Sequence, residues 1–283
     1  DSIPCFTEEG EQTYTCNHHG SSIAAGPDGT VLVVWYHGLG EYSKDSRLMW
    51  ARKEPGEEWG PAEVLFDEPA IPEGNPVVWF SEKGEILLFF MTVYGDNWND
   101  ASIRLIRSGD NGAHFSEPIF LRQEWNWMTR NKPIRMSNGE LLLPCYDESL
   151  YMPTFLISSD DFTADWSEFG DSADPIWLVN HLAQIQPTVI ERKDGTIYAL
   201  ERHTGNVHGY AFEMTSSDFG RTWTQGVSSS VPNDNTGIEM VSLVGGNVAL
   251  AFNNTFNGRY PLSVALSDDE ARTWKWIADI DGP

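Results

Sequence analysis

The chain has 283 residues, is 12% aromatic with 12 Trp, and sets 18 basic against 42 acidic side chains for a formal net charge of -24. Such a length buries a sizeable core, and such a charge excludes nucleic acid and anionic membranes as partners. No apolar run is long enough to insert in a membrane, no signal peptide is visible, and a start at Asp1 reads as a mature secreted, extracellular or periplasmic protein.

Near the start, Cys5 and Cys16 are close enough to bridge in an oxidising compartment, whereas Cys145 lies in an apolar strand and reads as a buried thiol. Short strands entered through Gly turns then follow one another. Pro27-Asp28-Gly29 leads into Thr30–Tyr36, Glu82-Lys83-Gly84 into Glu85–Met91, and Ser137-Asn138-Gly139 into Glu140–Cys145. Lys193-Asp194-Gly195 leads into Thr196–Leu200, and Val244-Gly245-Gly246 into Asn247–Phe252. The turn glycines stand at 29, 84, 139, 195 and 246, in steps of 55, 55, 56 and 51.

An aromatic turn follows each strand group. These are Glu58-Trp59-Gly60, the run 108–115 ending at Phe115, the run 159–166 ending at Trp166, 216–223 ending at Trp223, and 267–274 ending at Trp274. Their steps are 56, 51, 57 and 51, so two independent markers share one period. In 216–223, Ser-Ser-Asp-Phe-Gly-Arg-Thr-Trp, an Asp accepts backbone N–H bonds, a Gly takes φ > 0 and a Trp closes the loop. Short strands at that period, with no amphipathic helix, predict an all-β propeller of four-stranded antiparallel blades, as a single domain over 1–283.

The aromatic turns read as Asp-boxes, Ser-x-Asp-x-Gly-x-Thr-Trp, best kept at 216–223 and at 267–274, where Ala271 replaces the Gly. On them the chain resembles the BNR-repeat, sialidase-like propellers from Asn17 to Pro283. The runs Arg130-Asn131-Lys132-Pro133-Ile134, 143–148 and His18-His19-Gly20-Ser21-Ser22 are similar to an uncharacterised branch of that family. The resemblance implies six blades, an arginine triad, an Asp acid/base, and a Tyr nucleophile helped by a Glu. Matched by position, the second and third arginines fall on Arg202 and Arg259, and His19 takes the place of the first. The acid/base falls on Asp45, with Glu41 nearby, and Gln186 stands where the assisting Glu is expected. Five repeats are visible. The sixth blade, which would carry the Tyr after Pro283, is incomplete or absent, and an open propeller would expose faces that invite self-association.

Guanidinium groups bind carboxylates bidentately. Arg202 and Arg259, with Arg130 and Lys132 from the blade before, therefore read as a cationic mouth for a carboxylated sugar, completed by Gln186 and Asp147. Glycoside hydrolysis needs a proton donor and a nucleophile or base. Asp45 is the donor and Glu41 its substitute, while Tyr146, Asp147, Glu148, Glu201 and Glu239 are candidates for the other role. Tyr146 as nucleophile would require Glu239 or Glu201 to take its proton.

His18 and His19 lack a third His at ligand spacing, so no metal is assigned, nor any cofactor. His203 and His208 read as rim recognition, Trp98, Trp125 and Trp127 as surfaces for sugar faces, and Trp79 as core. The expected function is exo-glycoside hydrolysis, sialidase-like, on an acidic glycan. The alternatives are a uronate-directed lyase with His19 as base and Tyr146 as acid, and a non-catalytic carbohydrate-binding propeller.

Overall fold

A computed structural model describes residues 3–6, 10–13, 16–163, 183–204 and 209–281. These divide between Arg130 and Asn131 into two compact units. The first opens with a small hairpin, β1 (Cys5–Phe6) and β2 (Gln12–Thr13). Its first sheet is β3 (Asn17–Ala25), β4 (Val31–Gly38), β5 (Arg47–Lys53) and β6 (Glu63–Phe66), and its second is β7 (Glu73–Phe80), β8 (Ile86–Val93), β9 (Ala101–Ser108) and β10 (Ile119–Phe120). A 3₁₀ turn at Trp98–Asp100 and the short β11 (Trp127–Thr129) complete it.

The second unit holds β12 (Ile134–Arg135), β13 (Leu141–Asp147) and β14 (Met152–Ser158), then the sheet β15 (Gln184–Glu191), β16 (Ile197–His203), β17 (Gly209–Ser216) and β18 (Val227–Asn233). It ends with β19 (Glu239–Ser242), β20 (Val248–Asn253), β21 (Leu262–Ser267) and β22 (Lys275–Asp279). The described residues thus form five four-stranded antiparallel sheets beside the small hairpin, and the last visible repeat has all four of its strands.

The five Gly turns are the same object built five times. The turn Gly donates its N–H three residues back, as Gly29 to Gly26 (3.0 Å), Gly84 to Ser81 (2.9 Å), Gly139 to Met136 (2.8 Å), Gly195 to Arg192 (2.9 Å) and Gly246 to Leu243 (3.1 Å). The aromatic turns repeat a second device. Ser216 Oγ donates to Asp218 Oδ1 (2.8 Å) and accepts from Gly220 N (2.8 Å), while Asp218 accepts from Thr222 N (2.8 Å) and Thr222 Oγ1 (2.6 Å). The same bonds recur at Ser267, Asp269, Ala271 and Thr273.

At the third aromatic turn the frame starts one residue earlier than the sequence suggests. Ser158 Oγ donates to Asp160 Oδ1 (2.7 Å) and accepts from Phe162 N (2.8 Å), so Phe162, at φ 59°, fills the position of the usual Gly. Trp166 lies outside the described residues.

Apolar faces close between neighbouring sheets inside each unit. In the first, Leu32, Val34 and Leu48 pack with Val78, Ile86, Leu88 and Phe90, and all of β8 is buried, in keeping with a run that is apolar but for Thr92. In the second, Leu142 and Phe155 meet Val189, Ile197 and Met214. Trp223 stacks on Phe155 with ring centroids 4.3 Å apart, which ties the aromatic turn to the core.

Three of the five first strands carry a bulge before the turn. Register shifts between His19 and Ser22, Gly74 and Val77, and Ile185 and Thr188. Gly20, Asn75 and Gln186 there take left-handed φ of 62°, 43° and 54°. Bulges re-aim side chains, and the candidate residues sit at two of them.

Candidate functional site

In the first unit the chemistry gathers on the β3 bulge. Gly20 is required there, because a Cβ would lie 2.7 Å from Tyr36 Cε1. Tyr36, on β4 opposite His19, is 2% exposed and brings its Oη to 2.6 Å from His19 Nδ1. The same nitrogen is 3.2 Å from Glu41 Oε1, and Glu41 Oε2 accepts from Trp98 Nε1 at 3.2 Å. Trp98 is lodged against Gly74, where a Cβ would be 2.6 Å from the indole, and Tyr42 meets it edge-on. Imidazole and carboxylate are each about half exposed, so both reach solvent while the phenol beneath them is buried. Phenol and carboxylate thus meet at one imidazole nitrogen, a cluster of the group types that proton transfer uses.

Asp45 has loop partners of its own. Its Oδ1 accepts from Leu39 N (3.1 Å) and Ser43 Oγ (2.7 Å), closing the loop after β4. Arg130 Nη1 donates to Ser21 O at 3.5 Å, beside the bulge that carries His19.

In the second unit Gln186 is the hub. Its backbone carbonyl accepts from Asn131 Nδ2 (2.8 Å), its Oε1 from Arg202 Nη1 (3.1 Å), and its Nε2 donates to Tyr146 Oη (3.3 Å). Arg202 Nε donates to Asn235 Oδ1 (2.9 Å), and Arg259 Nη2 donates to the Asn235 carbonyl (3.4 Å). Two guanidinium groups are therefore fixed on one asparagine. A carboxamide accepts no proton from a phenol, and Tyr146 is 1% exposed; Gln186 holds Tyr146 rather than activating it.

Lys132, Glu239 and Asp147 have structural partners. Lys132 Nζ pairs with Glu239 Oε1 at 2.7 Å. Asp147, buried, accepts from Ser149 Oγ and Leu150 N, both at 2.7 Å. Glu201 is fully buried with neither oxygen hydrogen-bonded, and burial pushes its pKa well above the carboxylate range. Burial likewise lowers His203, whose ring stacks on Phe212. Trp127 is buried under the Arg122 guanidinium rather than open to a sugar, while Trp125 is exposed. His208 lies outside the described residues. Tyr36, Asn235 and Asn131 escape the sequence reading. Tyr36 had a signal: it stands seven residues after its turn Gly, as Tyr146 and Arg202 do after theirs.

Comparison with known proteins bears on the fold. Residues 29–282 match the model of the BNR repeat-like domain. Among solved structures, a Hadza microbial sialidase superposes with a TM-score of 0.71 at 19% identity, over 91% of this chain and 57% of its own. The intramolecular trans-sialidase from Ruminococcus gnavus, in complex with oseltamivir carboxylate, gives 0.72 at 14% identity over 94% of this chain and 85% of its own. A protein of unknown function from Dyadobacter fermentans gives 0.73 at 15% identity, over 99% and 86%. No curated protein matches by sequence. At these identities the likeness is one of fold: a sialidase-like β-propeller.

Proposed function

The chain belongs to the BNR repeat-like domain family, and from that premise we propose that it is a secreted, single-domain enzyme cleaving a carboxylated glycan, as an exo-glycoside hydrolase of the sialidase-like kind. The observation that carries this reading is the pair of guanidinium groups, Arg202 and Arg259, anchored on Asn235. Side chains held beforehand lose little freedom when a carboxylate arrives. Within the first unit, Glu41 reaches solvent beside His19 and Asp45 is the second carboxylate, and each is a candidate proton donor for a leaving oxygen. The partner is an acidic oligosaccharide.

The contact of His19 Nδ1 with Tyr36 Oη favours one second reading, β-elimination from a uronate. His19 would take the proton next to the carboxylate and return it to the leaving oxygen, the buried Tyr36 would hold its ring, and Arg130 beside the same bulge would neutralise the acid.

The experiment is incubation with sialylated and with uronate-terminated oligosaccharides, for the wild type and for His19→Ala, Glu41→Gln and Arg202→Ala. Free saturated sugar identifies hydrolysis, and the ultraviolet absorbance of an unsaturated uronate identifies elimination. Binding without turnover would leave a lectin. If Arg202→Ala and Arg259→Ala both bind these glycans as the wild type does, carboxylate recognition at Asn235 is wrong.

A further inference from the structure

We propose that Cys5, Cys16 and His37 form a zinc site that is closed by the Cys5–Cys16 disulfide and opens when that bond is reduced. The three donor atoms lie within 4.8 Å of one another. They come from three places in the sequence: β1, the residue before β3, and β4. The sequence reading assigned no metal because it looked for histidines at ligand spacing, and His37 stands 21 residues beyond Cys16.

The donor set suits zinc. Two thiolates and one imidazole are three of the four ligands of a tetrahedral site, with water as the fourth. With Zn–S near 2.3 Å and Zn–N near 2.0–2.1 Å, tetrahedral S and N ligands sit about 3.5 Å apart. Cys5 Sγ is already 3.4 Å from His37 Nε2. The two cysteine Cα atoms are 5.9 Å apart, so the sulfurs can separate to ligand distance by side-chain rotation. Cys5 and His37 are both fully buried.

The surroundings of the ring are ordered as well. His37 Nδ1 lies 3.4 Å from His18 Nδ1, and Trp35 Nε1 holds His18 by donating to that nitrogen at 3.1 Å. Partners around a metal-binding His fix its ring. Arg47, paired in register with His37, donates to the Pro4 carbonyl next to Cys5. Its positive charge favours thiolate over thiol, and zinc with two thiolates is itself neutral. The site adjoins the His19 cluster, since His18 pairs with His37 and His19 with Tyr36 on the same strands.

Opening needs an external reductant, here a water-soluble phosphine. It attacks one sulfur and breaks the S–S bond. Water then supplies oxygen to the phosphine oxide and one hydrogen to each sulfur. Zinc binding releases those two protons.

The test uses the full chain, oxidised and phosphine-reduced, titrated without air with Co²⁺ and then Zn²⁺. The reduced chain should bind one Co²⁺ with thiolate-to-cobalt charge-transfer absorbance that Zn²⁺ abolishes, and the oxidised chain should show none. Cys5→Ser should lose the band, and His37→Ala should bind at least about tenfold more weakly. Should His37→Ala fail to fold, the oxidised and reduced wild type decide between them. The proposal is overturned if the reduced, folded chain gives no such band, if Cys5→Ser or the oxidised chain gives it in full, or if the reduced chain unfolds and zinc does not refold it.

Discussion

Glu73 opens β7 with no exposed surface. Its Oε1 accepts from Glu68 N at 3.2 Å, and its Oε2 is buried with no partner. Burial pushes its pKa from an ordinary 4.5 up to about 9, against the opposing pull of the Glu68 N–H. The folded chain therefore holds a proton that the unfolded chain gives up above pH 4.5. A raised carboxyl costs nothing below its unfolded pKa, and its cost grows until pH passes the folded one. At about 1.4 kcal/mol per pH unit, the penalty reaches roughly 3 kcal/mol at pH 7 and is still growing toward pH 9. Glu73→Gln keeps the shape and removes the proton. Urea unfolding followed by Trp fluorescence from pH 5 to 9 should show the variant gaining on the wild type by about that amount at pH 7, with unchanged m. If the two stability curves run parallel across that range, Glu73 is not a buried neutral acid.

Other consequences follow from the turns and the arginine cluster. Asp218→Ala removes the acceptor of Arg221 N, Thr222 N, Thr222 Oγ1 and the buried Ser216 Oγ; the loss should be about 1–2 kcal/mol in chemical denaturation. Thr273 and its N–H hold Asp269 well below the carboxylate range. Stability from such depressed groups is present above the unfolded pKa and lost as pH falls through the folded one, so acid unfolding should steepen below about pH 4. Gly220→Ala, at φ 80° with a new Cβ 2.4 Å from Leu142 Cδ1, should cost roughly 1–2 kcal/mol; a melting temperature equal to wild type would refute the clash. Gln186→Glu sets a carboxylate against Arg202 Nη1, and calorimetry should show acidic-glycan binding weakened by about tenfold or more.

How much of this was legible depends on the length scale of the interaction. The Gly turns and aromatic turns close their hydrogen bonds within three to four residues, as Gly195 to Arg192 and Gly220 to Ser216 show. A local device leaves a local pattern, so period, strand count and sheet assignment could be read from spacing. The third aromatic turn was misframed because a doubled Ser and a doubled Asp, Ser158-Ser159-Asp160-Asp161, fit two frames equally. Only the buried Phe162 at the Gly position separates them.

The clusters resist sequence reading for a different reason. Lys132 and Glu239 pair across 107 residues, and Asn131 reaches Gln186 across 55; no local pattern records either. What the sequence does record is level within a sheet. Nine residues before the turn Gly stand Gly20, Asn75, Arg130, Gln186 and Gly237, and seven after it Tyr36, Met91, Tyr146, Arg202 and Asn253. The first series includes the residues at the three bulges, and the second includes Tyr36, Tyr146 and Arg202, which touch the candidate groups. Level predicts where a side chain can act, because each hairpin is built on the same Gly turn. Identity at that level predicts only what it can do there. Tyr146 and Tyr36 share a level, yet one meets an amide from the next sheet and the other an imidazole across its own hairpin, so the chemistry belongs to the pair and not to the tyrosine.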